Sequence, residues 1–244
     1  VIAVIISAMN TPPLRRRSAA FTLIELLTVI SIIVILMALT IAATRGVNEA
    51  AKRAKAMHTS ESVTAAVKSY HVDYGIFPPL GATAQPSGDI VVGDPVMGLD
   101  TPNNALFYTL RNIPSGVNQD FAANPRHGIY YEDRTARVNA KNEARDGFYD
   151  QTINGGTPPP AQESCLYDPW GHQYGIIIDA NGDDRIDLQN IYSDFTGAQA
   201  SGGRAPRWKV GVFSMGKDGK LGTEGDRVYR TSASEHSDDR ISWE

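Results

Sequence analysis

The chain has 244 residues, 42% of them hydrophobic, with 23 basic and 27 acidic side chains for a net charge of −4, which is room for one globular domain and some further elements. Setting aside Arg15, Arg16 and Arg17, twenty basic residues face 27 acidic ones, a net of −7, so phosphate backbones are repelled and no nucleic acid is expected as a partner. The single cysteine, Cys165, excludes an intrachain disulfide and a cysteine-built zinc site, and it reads more readily as a small half-buried residue than as a reactive thiol.

Residues 1–20 read as a leader. Its three arginines are followed at once by Ser18, Ala19 and Ala20, and only then by the apolar run FTLIELLTVISIIVILMALTIAA at 21–43. A secretory signal is cut after its apolar core. Here such a cut would destroy an anchor, whereas a cut before the run would keep the anchor and shed the charges. Residues 1–8 do not suit a short leader, and Met9 opens one of twelve residues. Translation from Met9 is therefore expected, with a longer natural leader as the alternative. Residues 21–44 form a spanning helix: the run is about 35 Å long at about 1.5 Å per residue, against a hydrocarbon core of about 30 Å. The arginines place the leader on the cytoplasmic side and the rest of the chain outside the inner membrane.

The stretch Phe21-Thr22-Leu23-Ile24-Glu25-Leu26-Leu27 resembles the type IV pilin and pseudopilin family, whose precursors carry a short basic leader just before such a segment. The resemblance implies that prepilin peptidase cuts between Ala20 and Phe21 and methylates the new amine of Phe21. Ala20 departs from the glycine usual before the cut. It also gives meaning to Glu25, the one charge in the run. A carboxylate deep in a bilayer costs about 2.5 to 3.5 kcal/mol unless it finds a partner. Cleavage supplies one: the amine of Phe21 lies four residues away, and an identical amine arrives with every neighbouring subunit. A buried pair of this kind favours one axial register during assembly. The plainer alternative is a carboxylate that reaches out to the membrane edge.

Residues 45–75 continue the helix. Val47, Ala51, Ala54, Met57, Val63, Ala66, Val67, Tyr70 and Tyr74 recur at spacings mostly of three and four, one face of an amphipathic helix, and Gly75 with Pro78-Pro79 supplies the stop. YHVDYGIFPP at 70–79 is similar to the family's helix end. Val34 and Ala42 stand where many relatives have Gly and Pro, which argues against local melting of this helix in a filament.

Residues 76–163 are an insertion rich in Gly, Pro, Asn and Ala, with one short helix expected in ALFYTLRNI at 105–113, long loops and at most one strand; no motif is legible there. Residues 164–244 form a β region. In DPWGHQYGI at 168–176, Asp168-Pro169 begins a turn, Gly171 permits a positive φ, and Tyr174 to Ile178 are a strand. This segment resembles the DPWG-x-x-Y turn of the major pseudopilin of type II secretion, and WKVGVFSMGKDGKLGTEGD with SDDRISW resembles its terminal strand, loop and ending. The fold implied is α+β and pilin-like: a long N-terminal helix packed on a small antiparallel sheet with long loops.

In those relatives the final loop binds calcium. The resemblance carries that role to Asp218, Asp238 and Asp239, with the Met215 carbonyl and Asp226 as further ligands; the alternative is a solvated acidic loop. Calcium takes six to eight oxygens, so clustered carboxylates with backbone carbonyls suit it. DANGDDRIDLQN at 179–190 is a second candidate, placing oxygens through Asp179, Asn181, Asp183 and Asp187, with Ile186 where such loops pack inward. A hairpin turn at Asn181-Gly182 explains much of the same pattern without metal.

The function these features favour is structural: a subunit of a type II secretion-like pseudopilus, stabilised by calcium. Its partners are copies of itself, other pseudopilins, prepilin peptidase and an inner-membrane assembly platform. The alternative is a pilus pilin whose enlarged head adheres to surfaces, with Tyr130-Tyr131 as a candidate sugar platform. An anchored enzyme is disfavoured, because the five histidines are isolated and no HExxH, G-x-S-x-G or P-loop is present.

Overall fold

In the computed structural model the described residues are 21–82, 88–139, 143–150, 163–188, 191–193, 209–223, 225–232 and 235–243. The leader, with Met9 and Ala20, lies outside them. The chain divides into two compact units, Val1–Val47 and Asn48–Glu244.

The first helix, α1, runs over Leu23–Tyr74 without a break at Val34 or Ala42. In the first unit its apolar side chains from Leu23 to Ile41 all face outward, and the helix is long and apolar enough to cross a membrane. The few hydroxyls return to the helix itself: Ser31 Oγ donates to the Leu27 carbonyl at 2.8 Å and Thr40 Oγ1 to that of Leu36 at 2.7 Å. Such back-bonding lets a polar side chain sit in hydrocarbon without water.

In the second unit α1 ends as its sequence dictates. Gly75 adopts φ 73° and its N–H returns to the His71 carbonyl at 2.8 Å, a left-handed stop that glycine takes without steric cost. Val63, Ala66, Val67 and Tyr70 enter the core. Val47, Ala51 and Ala54 do not; they are exposed. The buried face begins at Ala56 and includes Thr59, Ser60 and Thr64, where Thr64 Oγ1 donates to the Ser60 carbonyl at 2.9 Å. Periodicity fixes which side of a helix is apolar, but not where along it a partner begins.

The strands are β1 (Ile90–Val92), β2 (Arg137–Val138), β3 (Ala144–Arg145), β4 (Gly147–Phe148), β5 (Leu166–Tyr167), β6 (Gly175–Ile178), β7 (Val210–Ser214), β8 (Arg230–Ser232), β9 (Glu235–His236) and β10 (Arg240–Ile241), with one short helix, α2 (Asn104–Leu110), after β1. The main sheet is antiparallel in the order β1-β6-β7-β10. β2 pairs with β3, β4 with β5 and β8 with β9. The fold is α+β, a long N-terminal helix with a small antiparallel sheet.

Both faces of that sheet are covered, so β6 reads as an unbroken apolar run, not as an alternating one. Ile176, Ile178, Val210 and Val212 face α1 and α2, where Leu106, Phe107 and Leu110 join them. Ile177 and Phe213 face the other way, onto Ile186, Leu188, Met215, Ile241 and Trp243. Gly211 is small for that reason: a Cβ there would lie 2.7 Å from Ile186 and 2.8 Å from Trp243. Stretches in which no motif was legible thus supply an edge strand and a core helix. The Asn181-Gly182 pair does not make the hairpin its sequence suggests, since β6 is flanked by β1 and β7, both remote in sequence. Aspartate side chains hold residues 179–184 in a loop instead.

Candidate functional sites

At the start of α1, Thr22 and Glu25 form a reciprocal cap. Glu25 N–H donates to Thr22 Oγ1 at 3.3 Å, and Glu25 Oε2 accepts from Thr22 N at 2.9 Å and from Thr22 Oγ1 at 2.7 Å. This is the capping box of a T-x-x-E sequence, satisfying helix-end donors that have no partner within the helix. Phe21, just outside the helix, is 78% exposed. Within one chain, then, the Glu25 carboxylate is engaged by its neighbour Thr22, a use its spacing advertised and the reading of it as a lone charge missed.

The DPWG turn is built around a fully buried carboxylate. Asp168 Oδ1 accepts from the backbone N–H groups of Trp170, Gly171 and His172 at 2.9, 2.7 and 2.9 Å, and Oδ2 accepts from Ser214 Oγ at 2.6 Å. Burial raises its pKa, against the opposing pull of these hydrogen bonds and of His172. Ser214 Oγ also accepts from Gly216 N at 3.1 Å, so one carboxylate ties the turn to the end of β7 and the loop beyond it. Trp170 Nε1 donates to Glu49 on α1 at 3.1 Å.

The terminal acids are drawn inward by the backbone. Asp238 Oδ2 accepts from Lys217 N and Asp218 N at 2.5 and 3.1 Å, Asp239 Oδ2 from Gly222 N at 2.7 Å, Asp218 Oδ1 from Lys220 N at 2.9 Å and Asp226 Oδ1 from Val228 N at 2.9 Å. The loop folds tightly over Asp238: Gly216 has φ 66°, and a Cβ on it would lie 2.5 Å from the Asp238 carbonyl oxygen. Met215 is buried against the sheet. Glu224 lies outside the described residues.

The second acidic loop has the same character. Asp179 Oδ1 and Oδ2 accept from Gly182 N at 2.7 Å and Asp184 N at 2.9 Å, Asn181 Oδ1 from Asp183 N at 2.8 Å, and Asp183 Oδ1 from Arg185 N at 2.9 Å. Ile186 is buried, as that loop pattern requires. Sequence reasoning missed Asp89, whose Oδ2 accepts from Asp187 N at 2.6 Å across 98 residues. No local signal announces such a pairing. Asn190 lies outside the described residues. Among the described residues, no group of three or more His, Cys, Asp or Glu side chains is gathered as a metal site.

Two of these acids set a pH dependence. Burial raises Asp89 from the ordinary 3.8 to about 6, with Asp179, Asp183 and Asp187 adding to the shift. It raises Asp239 to about 7, against hydrogen bonds from Gly222, Tyr192 and Ser237. Each binds its proton more tightly folded than unfolded, so the associated stability is complete below the unfolded value and is lost as pH rises through about 6 and about 7. In metal-free buffer the urea midpoint should fall between pH 4 and pH 7.5, and Asp239→Asn should flatten the upper part of that fall. A midpoint that rises over this range contradicts the assignment.

Residues 15–41 match the family model described as the prokaryotic N-terminal methylation motif. The motif indicates a type IV pilin-like protein. No curated protein and no solved structure matches the chain. For a pilin-like chain the motif implies processing by prepilin peptidase and assembly into pilin-like filaments, and proteins bearing it are structural subunits. With the apolar helix that follows, it points to membrane anchoring.

Nothing about Cys165 suggests chemistry. It is wholly buried, and burial pushes its thiol up to about 12, where almost no thiolate exists at neutral pH. Iodoacetamide should label the chain only after denaturation; rapid labelling of the native protein would show the thiol to be accessible.

Proposed function

We propose that this chain is a structural subunit of a type II secretion-like pseudopilus, and not an enzyme. It sits in the inner membrane by one helix with its head in the periplasm until it enters a filament. The observation that carries the reading is the Asp168 to Ser214 hydrogen bond, 2.6 Å long. It joins the DPWG turn to the terminal strand and loop, the two segments that resemble the major pseudopilin. The adhesive alternative gains little support from its candidate sugar platform, since Tyr131 is buried and Tyr130 half-buried. Tyr131 packs edge-on against Phe148 with ring centres 5.9 Å apart, and Tyr130 lies against Tyr70 and donates to Asp73 at 2.7 Å. Deleting the gene should abolish export of the host's secreted proteins and leave surface pili intact. Loss of pili with normal export would reverse the assignment.

Calcium belongs to the same proposal. The fit is partial: the loop is rich in carboxylates, and Asp239 is a buried acid whose ionised form a cation would relieve, yet the gathered side chains are few. Backbone carbonyls, that of Met215 among them, must then supply much of the shell. A cation bound only by the folded state adds about 2.7 kcal/mol at a hundredfold excess over its dissociation constant. Adding EGTA to the full mature chain in calcium buffer at pH 7.5 should lower its melting temperature by several degrees. No change removes calcium from the proposal and leaves the filament role standing.

A further inference from the structure

Two Asn-Gly pairs stand in the chain, at 154–155 and 181–182. The first lies outside the described residues; the second sits in the loop that follows β6, with both of its residues exposed. Such a pair readily loses its side-chain amide, because glycine has no side chain to hinder ring closure by its own backbone nitrogen. The Gly182 nitrogen gives up its proton to water or hydroxide and attacks Asn181 Cγ; the Cγ–Nδ2 bond breaks and ammonia leaves. Water then opens the cyclic imide at either carbonyl, giving aspartate or, with the chain rerouted through Cγ, isoaspartate.

The fold acts on the two partners in opposite ways. Asn181 Oδ1 accepts from Asp183 N at 2.8 Å, which polarises the Cγ carbonyl and by itself favours attack. The nucleophile is the restrained partner. Gly182 N donates to Asp179 Oδ1 at 2.7 Å, and Asp179 is 2% exposed. Removing the Gly182 proton would set a second negative charge against that carboxylate, away from water, so the nitrogen keeps its proton. Asp89, Asp183 and Asp187 add to the negative charge around it, and Lys209, which pairs with Asp184 at 2.7 Å, offsets only part of it. Asp179 is itself held fast: its Oδ2 accepts from Asp184 N at 2.9 Å, and its own N–H donates to the Lys209 carbonyl at 2.9 Å. Gly88 packs against Asn181, since a Cβ there would lie 2.7 Å from Asn181 Cβ.

We infer that Asn181 is a deamidation site silenced by the folded loop: Asp179 keeps the Gly182 nitrogen from closing on it, and a head that opens here is converted for good. Aspartate adds one more charge to a crowded loop. Isoaspartate adds a backbone atom between Asp179 and Asp184, so their hydrogen bond no longer fits and the Asp187 contact that fastens Asp89 is loosened. The conversion is independent of any filament role.

The test incubates the full mature chain in mildly alkaline, metal-free buffer, native or unfolded in guanidinium chloride, and follows the peptide carrying 179–185 by mass spectrometry. In denaturant, Asn181 and Asn154 should convert at similar rates, the second pair serving as the reference. In the native chain Asn181 should convert at least about tenfold more slowly, the factor that one hydrogen bond to a charged acceptor implies. Asp179→Asn keeps the shape and removes the charge; it should speed native conversion by roughly fivefold and leave the rate in denaturant unchanged. Circular dichroism shows whether that variant folds. If it does not, amide exchange at Gly182 in the parent decides, and it should be slowed by at least the factor seen for conversion. Equal conversion in native and unfolded chains overturns the inference. So does a folded Asp179→Asn chain that converts no faster than the parent, or a Gly182 amide that exchanges as fast in the native chain as in denaturant.

Discussion

Replacing Asp168 by Ala should lower the melting temperature of the head by more than about ten degrees. The substitution strips the acceptor from three backbone N–H groups and from Ser214 Oγ, in a position that is fully buried. Each stranded buried donor costs on the order of 1 to 3 kcal/mol. Trp170 N and Ser214 Oγ are buried, and the N–H groups of Gly171 and His172 are half-buried, so the two buried donors alone remove about 2 to 6 kcal/mol, against a typical total stability of 5 to 15 kcal/mol. The damage also spreads, because Ser214 Oγ holds Gly216 N and so aims the terminal loop. Asp168→Asn separates the two halves of the site. Its one carbonyl oxygen can still collect the three turn N–H groups, and its amide can donate to Ser214, so that variant should keep roughly half the lost stability. Thermal unfolding followed by circular dichroism measures both. If Asp168→Ala melts where the parent does, the turn is not organised by this carboxylate.

That turn shows what a sequence can and cannot announce. Asp-Pro-x-Gly signals a turn because its requirements are local, and Gly171 indeed adopts φ 112°. The stop at Gly75, the helix within 105–113 and the strand at 175–178 were legible for the same reason: each is written in the period or punctuation of a few neighbouring residues, whereas the strand at 210–214 was expected only from the family resemblance. The contact from Asp168 to Ser214 spans 46 residues, and that from Asp187 to Asp89 spans 98. Neither leaves a local trace. β1 has only three residues, too few for a period, and exists because β6 offers it a ladder. The same blindness misplaced the lower face of α1, where Val47, Ala51 and Ala54 keep the helical period yet are exposed among the described residues. The opposite error occurred at Asn181-Gly182, where a strong local signal for a hairpin lost to aspartates that bind the loop's own N–H groups.

Glu25 caps its own helix through Thr22, and we propose for it a second role, registration against the amine of a neighbouring subunit, which substitutions can part from the first. Glu25→Ala removes both the cap on Thr22 and the charge; Glu25→Gln keeps an oxygen for the Thr22 N–H and removes only the charge. Losing the cap costs about 1 kcal/mol at one helix end. Losing one partner of a buried ion pair costs about 3 to 5 kcal/mol, because the other charge is left stranded. In a filament that penalty falls at every subunit, since each neighbour would bring an amine from Phe21 into apolar surroundings with nothing to meet it. Both variants should therefore be inserted and cleaved normally and yield fewer filaments by at least about a hundredfold, the factor that roughly 3 kcal/mol per contact implies. Thr22→Ala loosens the cap and leaves the charge, and its yield should fall by only about fivefold. Filaments sheared from cells and counted against total processed subunit give the measurement. If Glu25→Gln assembles like the parent while Thr22→Ala fails, the carboxylate matters as a helix cap, and registration by charge is wrong.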